Sequence, residues 1–247
     1  MRIGIIACES FKDELDHLVK DNPYIVFKEY LEFGLHKRPE ELKKAVTEKV
    51  NSLEAKVDAV LLGYGICNSL RDITSELNVP TVRLDGDDCV GVLLTSPEYE
   101  KERKKCAGTL YMTPYFAQRG LDEIKEEFVE EIPNYGELGI DLKWYLDRIF
   151  DGYSRVLYID DGVGDPERLA ERSRQVAIEL GLDHQCRLGT LAILADGLTK
   201  VERLAVSCKE HQSADTVPEG TIMMHSDDER IRRMPQEKSG ASRRREI

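Results

Sequence analysis

The sequence contains no long apolar run, although 41% of its 247 residues are hydrophobic. A membrane-spanning helix needs roughly 20 consecutive apolar residues, so no such span is predicted. Positive charge is also scarce, because 35 lysines and arginines face 47 acidic residues and the formal net charge is -12. Non-specific nucleic-acid binding depends on basic side chains that neutralise phosphates. The composition therefore disfavours both a membrane protein and a nucleic-acid-binding protein.

Several short motifs are missing as well. The sequence has no G-x-G-x-x-G, no G-x-x-x-x-G-K-[ST] and no G-x-S-x-G pattern, so standard dinucleotide, P-loop and nucleophile-elbow sites are not expected. Residues 5–8 resemble a lipoprotein cleavage box, but too few apolar residues precede Cys8 for the about 7–15 that a secretory signal needs. A cytoplasmic location is the default expectation. In that compartment the six cysteines are expected to be thiols or metal ligands rather than disulfides.

Continuous apolar segments that alternate with helical patterns are typical of parallel strands covered on both faces. The sequence therefore predicts an α/β fold of mostly parallel sheets with helices on both faces, Rossmann-like but without a dinucleotide motif. One domain is expected over residues 1–225, with a subdivision near Pro133 as an open alternative. The polar segment 226–247 is expected to be a disordered charged tail. The clearest strands are predicted at residues 1–8, 58–64, 79–84 and 155–159.

Three cysteines come directly after predicted strands or short turns. Cys8 ends the first strand, Cys67 follows the strand 58–64, and Cys89 follows the strand 79–84. Because the carboxyl ends of parallel strands share one edge of a sheet, where such folds bind ligands, we expect these cysteines to lie close together. Thiolates suit zinc, copper(I) and iron–sulfur clusters. The pattern predicts a metal site, either zinc or an iron–sulfur cluster. The alternative is that the three are buried core thiols.

Other polar residues at the same strand ends are further candidates. Glu9 and His36 are predicted to be a fourth ligand or proton carriers, and therefore candidate catalytic residues. Carboxylates at strand ends could bind a hydroxyl-bearing ligand or a hard cation, although a polar turn with Asp165 as a helix cap is favoured there. Glycine lets the backbone approach a ligand closely. The predicted cofactor-binding residues are Gly65, Asp88, Asp160 and Asp161.

The order and spacing of several motifs resemble one known family over residues 2–221. The motifs are A-C-E, L-H-x-x-P, L-G-Y-G-x-C, D-D-C-V, T-S-P-E-Y, Y-I-D-D-G, L-A-D-G-L and V-P-E-G. The family is domain of unknown function 1638, found in methanogenic archaea and anaerobic bacteria. The resemblance implies that Cys8, Cys67 and Cys89 are the family's cysteines and that His36 is its histidine. It also implies a setting beside corrinoid-dependent methyltransferases, and supplies no reaction.

Three hypotheses about function remain open. The first is a metal- or cluster-binding protein that acts in or supports corrinoid-linked methyl transfer in anaerobic one-carbon metabolism, with a corrinoid protein or methyltransferase as partner. If it is an enzyme, the metal would hold a reactive thiolate. The second is a non-catalytic protein that binds a corrinoid or small metabolite at the strand ends. The third is a structural or partner-binding protein with reduced, buried cysteines. Oligomeric state does not follow from the sequence.

Overall fold

Two parallel sheets organise the chain in the computed structural model, which describes residues 1–65, 70 and 73–214. Cys67 and the segment 226–247 lie outside these residues. The described residues belong to one compact unit.

The first sheet has four strands in the order β2-β1-β3-β4, and all neighbours are parallel. Its two central strands are completely buried runs of small and branched apolar residues, the pattern of strands covered on both faces. The strands are β1 Ile3–Cys8, β2 Ile25–Leu31, β3 Ala59–Gly63 and β4 Thr81–Arg83.

The second sheet has three strands in the order β5-β6-β7, again all parallel. Its central strand carries the buried run that the sequence predicts, whereas β7 is mostly exposed. The strands are β5 Thr109–Met112, β6 Arg155–Asp160 and β7 Asp183–Leu188. The later strands therefore form a sheet of their own, a point that the sequence left open.

Helices connect the strands and cover the sheets. They are α1 Lys12–Val19, α2 Pro39–Asn51, α3 Cys89–Leu94, α4 Ser96–Lys105, α5 Pro114–Arg119, α6 Asp122–Glu131, α7 Leu142–Ile149, α8 Pro166–Leu180 and α9 Ala192–Ala214. Short 3-10 helices span Glu9–Phe11, Phe33–Lys37 and Ile73–Glu76.

Helix α9 returns the chain from the second sheet to the first, where it packs on β3 and β4. Gly197 makes this close approach feasible, because a Cβ there would lie 2.8 Å from Leu84 Cδ2 and 3.2 Å from Leu61 Cδ1. The glycine of the L-A-D-G-L motif is thus explained by helix-to-sheet packing.

The predicted α/β class is confirmed, and so are the principal strands. Residues 89–105 form two helices, and the break between them falls at Thr95, whose φ is 69°. Asp165 caps α8, since its Oδ1 accepts a hydrogen bond from Arg168 N at 3.1 Å. Within the part of the chain that the structure describes, no helix combines the length and apolar character of a membrane span.

Candidate functional site at the carboxyl ends of the strands

Cys8 and Cys89 are brought together at the carboxyl edge of the first sheet. Cys8 is the last residue of β1 and is 9% exposed, and Cys89 is the first residue of α3 and is half-buried. Burial raises the pKa of Cys89 to about 12, and the charges of Asp88 and Cys8 raise it further. The charge of Cys8 is thus one of the causes that keep the Cys89 thiol protonated. Cys67 lies outside the described residues.

Gly65 fixes how the loop after β3 meets the loop after β4. A Cβ at this position would lie 2.9 Å from Gly86 O, 3.0 Å from Asp88 Cα and 3.1 Å from Asp87 O. These are backbone atoms, which cannot give way as the end of a flexible side chain can. The two loops therefore pack directly against each other, immediately before Cys89.

Replacing Gly65 by alanine is expected to destabilise the protein by about 1–3 kcal/mol, because the added methyl group overpacks this contact. Urea unfolding of the two proteins measures the difference. Gly34→Ala is the matched control, since a Cβ at Gly34 would have no heavy atom within 4 Å. Equal destabilisation by both substitutions would contradict the packing role of Gly65.

Asp88 caps helix α3. Its Oδ1 accepts a hydrogen bond from Gly91 N at 2.8 Å, and its Oδ2 accepts one from Tyr99 OH at 3.1 Å. A side chain that satisfies the amide groups at a helix start is a usual structural role for aspartate. The structure thus gives Asp88 a structural task beside Cys89, and its role in binding a cofactor stays a prediction.

Glu9 joins three elements at the site. Its Oε1 accepts hydrogen bonds from Phe33 N at 2.8 Å and from Tyr115 OH at 2.7 Å. The Phe33 ring contacts the rings of Tyr115, Phe116 and His36, with centroid distances of 5.6, 4.9 and 4.1 Å. His36 is exposed, and its Nδ1 bonds to Phe33 O. Glu9 and His36 therefore both contact Phe33. Their catalytic roles stay predictions.

The two aspartates at the end of β6 have different hydrogen-bond partners. Asp160 Oδ1 accepts a hydrogen bond from Gly162 N at 3.0 Å, as expected for a polar turn. Asp161 Oδ1 accepts one from Val163 N at 3.0 Å, but its carboxyl group also hydrogen-bonds with Glu14 of α1. Asp161 therefore links the edge of the second sheet to a helix of the first part of the chain.

Glu14 is the residue that the sequence analysis missed. It is 1% exposed, and burial raises its pKa to about 9, with a further rise from the charge of Asp161. Burial also raises the pKa of Asp161. Two carboxyl groups in contact hold one proton between them because both cannot ionise together. A signal was present: Glu14 lies three residues after Phe11 and four before Leu18, on the apolar face of its helix.

The described residues contain no group of three or more histidine, cysteine, aspartate or glutamate side chains arranged to hold a metal ion. This search does not include Cys67, so the predicted Cys8, Cys67 and Cys89 site stays a prediction. The remaining cysteines lie elsewhere: Cys106 Sγ is 3.1 Å from Ser154 Oγ, Cys186 is exposed on β7, and Cys208 is half-buried on α9.

The fold is that of an α/β protein with two parallel sheets, with Cys8 and Cys89 at the carboxyl edge of the first sheet and Asp160 and Asp161 at that of the second. The chain belongs to the family described as protein of unknown function (DUF1638), whose model matches residues 30–198. The match includes His36, Cys67 and Cys89, and begins after Cys8. The family predicted from the motifs is thereby confirmed. A search of curated proteins found no match.

Proposed function

We propose that the chain binds a thiophilic metal ion or an iron–sulfur cluster through Cys8, Cys67 and Cys89. One observation carries the proposal. Cys8 ends β1 and Cys89 begins the helix that follows β4, so two cysteines far apart in the sequence both lie at the carboxyl edge of the first sheet. Core thiols have no reason to gather at the edge where parallel sheets bind ligands.

The donor set suits such a metal. Thiolate sulfur is a preferred ligand of zinc and of iron–sulfur clusters, and three protein ligands leave one coordination position open. A bound metal supplies the positive charge that keeps neighbouring thiolates ionised and can hold a further thiolate. Glu9, next to Cys8 and held by Phe33 and Tyr115, would take up or release a proton beside that position. The resemblance to the family extends the proposal to support of corrinoid-linked methyl transfer.

Elemental analysis of protein purified without oxygen tests the metal site. About one zinc ion per chain, or iron with sulfide and a visible absorption band, is the expected result. Cys8→Ser, Cys67→Ser and Cys89→Ser are each expected to lower the metal content at least about tenfold. Cys186→Ser is the matched control, because Cys186 is exposed on β7 in the other sheet, and it should leave the metal content unchanged. Unchanged metal content in the triple variant would refute the proposal.

A second candidate function, binding of a small metabolite without catalysis, is favoured by an apolar cavity of about 210 Å³. Phe33 and Phe116 line it together with Met112, Leu121 and Ile124. The cavity lies between the segment after β2 and the end of β5. This places it beside Phe33 and Tyr115, which donate hydrogen bonds to Glu9. Aromatic and aliphatic walls with a few polar groups are usual for small-molecule sites. This candidate predicts ligand binding that survives loss of a cysteine.

A further inference from the structure

A second cavity lies beside Glu9, and its lining is polar. Its volume is about 240 Å³, and it lies between the segment that follows β1 and helix α5. The lining residues are Glu9, Ser10, Lys12, Asp13, Glu14, Tyr115 and Gln118. The volume is below the range of about 300–1,000 Å³ that accommodates drug-sized ligands. It therefore suits a ligand of only a few heavy atoms.

The electrostatic balance of this cavity is negative. Lys12 Nζ lies 3.5 Å from Asp16 Oδ2 and 3.9 Å from Asp13 Oδ1. These two carboxylates therefore already offset the charge of Lys12. Among the described residues, both hydrogen bonds to Glu9 engage Oε1, which leaves Oε2 available to a ligand. Glu14 also hydrogen-bonds with the carboxyl group of Asp161, which is not part of the cavity lining.

The groups that face Glu14 come from three elements. Asp161 and Tyr158 approach from the end of β6, Tyr30 approaches from β2, and Asp13 precedes Glu14 on α1. None of these side chains carries a positive charge. The proton held by Glu14 and Asp161 therefore neutralises one of the two negative charges that the pair would otherwise carry. A ligand cation could supply that positive charge instead.

Ser10 provides an independent sign of a ligand. It lines the cavity and is 2% exposed, yet its Oγ has no hydrogen-bond partner within residues 1–65, 70 and 73–214. Buried hydroxyl groups nearly always have a partner, and an exception needs an explanation.

We propose that this cavity binds a small primary ammonium ion, which takes the place of the proton shared by Glu14 and Asp161. An ammonium group has three N–H donors, and Ser10 Oγ, Glu9 Oε2 and the Glu14 carboxylate are acceptors at the cavity. A metal ion is the poorer fit, because these carboxyl groups do not form a metal-ligating cluster in the described part of the chain. On binding, the Glu14 O–H bond breaks, its proton passes to buffer, and the ligand N–H groups hydrogen-bond to the carboxylate.

Isothermal titration calorimetry of the full chain with ethylammonium chloride tests this site, with ethanol as the neutral probe of equal size. A dissociation constant of about 1 mM is expected, because three heavy atoms limit the affinity. Titrations in two amine-free buffers of different ionisation enthalpy should show release of about one proton per ligand at pH 7. The affinity should rise about tenfold per pH unit from pH 6 to 8, since burial raises the pKa of Glu14 to about 9. Equal binding of ethanol, or no saturable binding of ethylammonium, would overturn the proposal.

Two variants separate a binding site from a structural contact. Glu14→Gln should lose both the proton release and the pH dependence and weaken binding at least about tenfold. Ser10→Ala should weaken binding about fivefold to tenfold while the proton release persists. Cys8→Ser should leave ethylammonium binding intact, so failure of the metal site and failure of the ammonium site can be told apart. Full proton release in Glu14→Gln would also overturn the assignment.

Discussion

Replacing Glu102 by glutamine is expected to destabilise the protein by about 3–5 kcal/mol. Glu102 and Arg155 are 5% and 3% exposed, and Glu102 Oε2 lies 2.7 Å from Arg155 Nη2. Arg187 Nη1 bonds to the other carboxylate oxygen of Glu102. Although burial opposes ionisation, the bonds to Arg155 and Arg187 hold the pKa of Glu102 below its usual value. The glutamine would leave a buried guanidinium group without its counter-charge.

Urea unfolding at neutral pH measures this effect, and Glu100→Gln on the same helix is the control. Glu100 also forms an ion pair, with Lys104 at 2.6 Å, but both partners are exposed. Such surface pairs contribute little to stability, so a change below about 0.5 kcal/mol is expected. Adding Arg155→Met to Glu102→Gln should restore part of the lost stability, because no buried charge then remains. Additive losses in the double variant would contradict this account.

This pair also shows where sequence reasoning reaches its limit. Arg155 opens the strand β6, and the apolar run after it was enough to predict that strand. Its partner Glu102 lies in the strongly polar helix α4, where nothing in the local pattern distinguishes it from Glu98 or Glu100. Only the packing of α4 against the second sheet decides which of the three acidic residues is buried. Local periodicity predicts elements, whereas the partner of a buried charge depends on tertiary structure.

The candidate site likewise contains one arrangement that the sequence could predict and one that it could not. Cys8 and Cys89 could be assigned to one sheet edge because strand ends share an edge in any parallel sheet, and each of them follows a strand of the first sheet. Asp161 was predicted at such an edge too, but in the second sheet. Its partner Glu14 belongs to a helix next to the first sheet, and no rule of strand order brings these two carboxyl groups into contact. Glu14 on an apolar helix face was a local inconsistency, of the kind that marks functional sites.

Replacing Glu14 by glutamine is expected to stabilise the protein at neutral and alkaline pH, by about 3 kcal/mol at pH 7. Burial, followed by the charge of Asp161, raises the pKa of Glu14 from 4.5 to about 9 in the folded protein. A raised pKa means that the folded state binds the proton more tightly than the unfolded state does. The stability that this proton provides is fully present below pH 4.5 and is lost as the pH rises toward 9.

Free energies of unfolding measured at pH 5, 7 and 8.5 test the direction of this pH dependence. The wild-type curve should fall by up to about 1.4 kcal/mol per pH unit relative to the Glu14→Gln curve, and the two should converge near pH 4.5. Glu100→Gln removes an exposed carboxylate whose charge is not among the causes of the raised pKa of Glu14, and it should leave the pH dependence unchanged. Parallel curves for wild type and Glu14→Gln would show that Glu14 does not carry the proton. A stabilising substitution that abolishes ammonium binding would indicate that the carboxyl pair is retained for its ligand rather than for the fold.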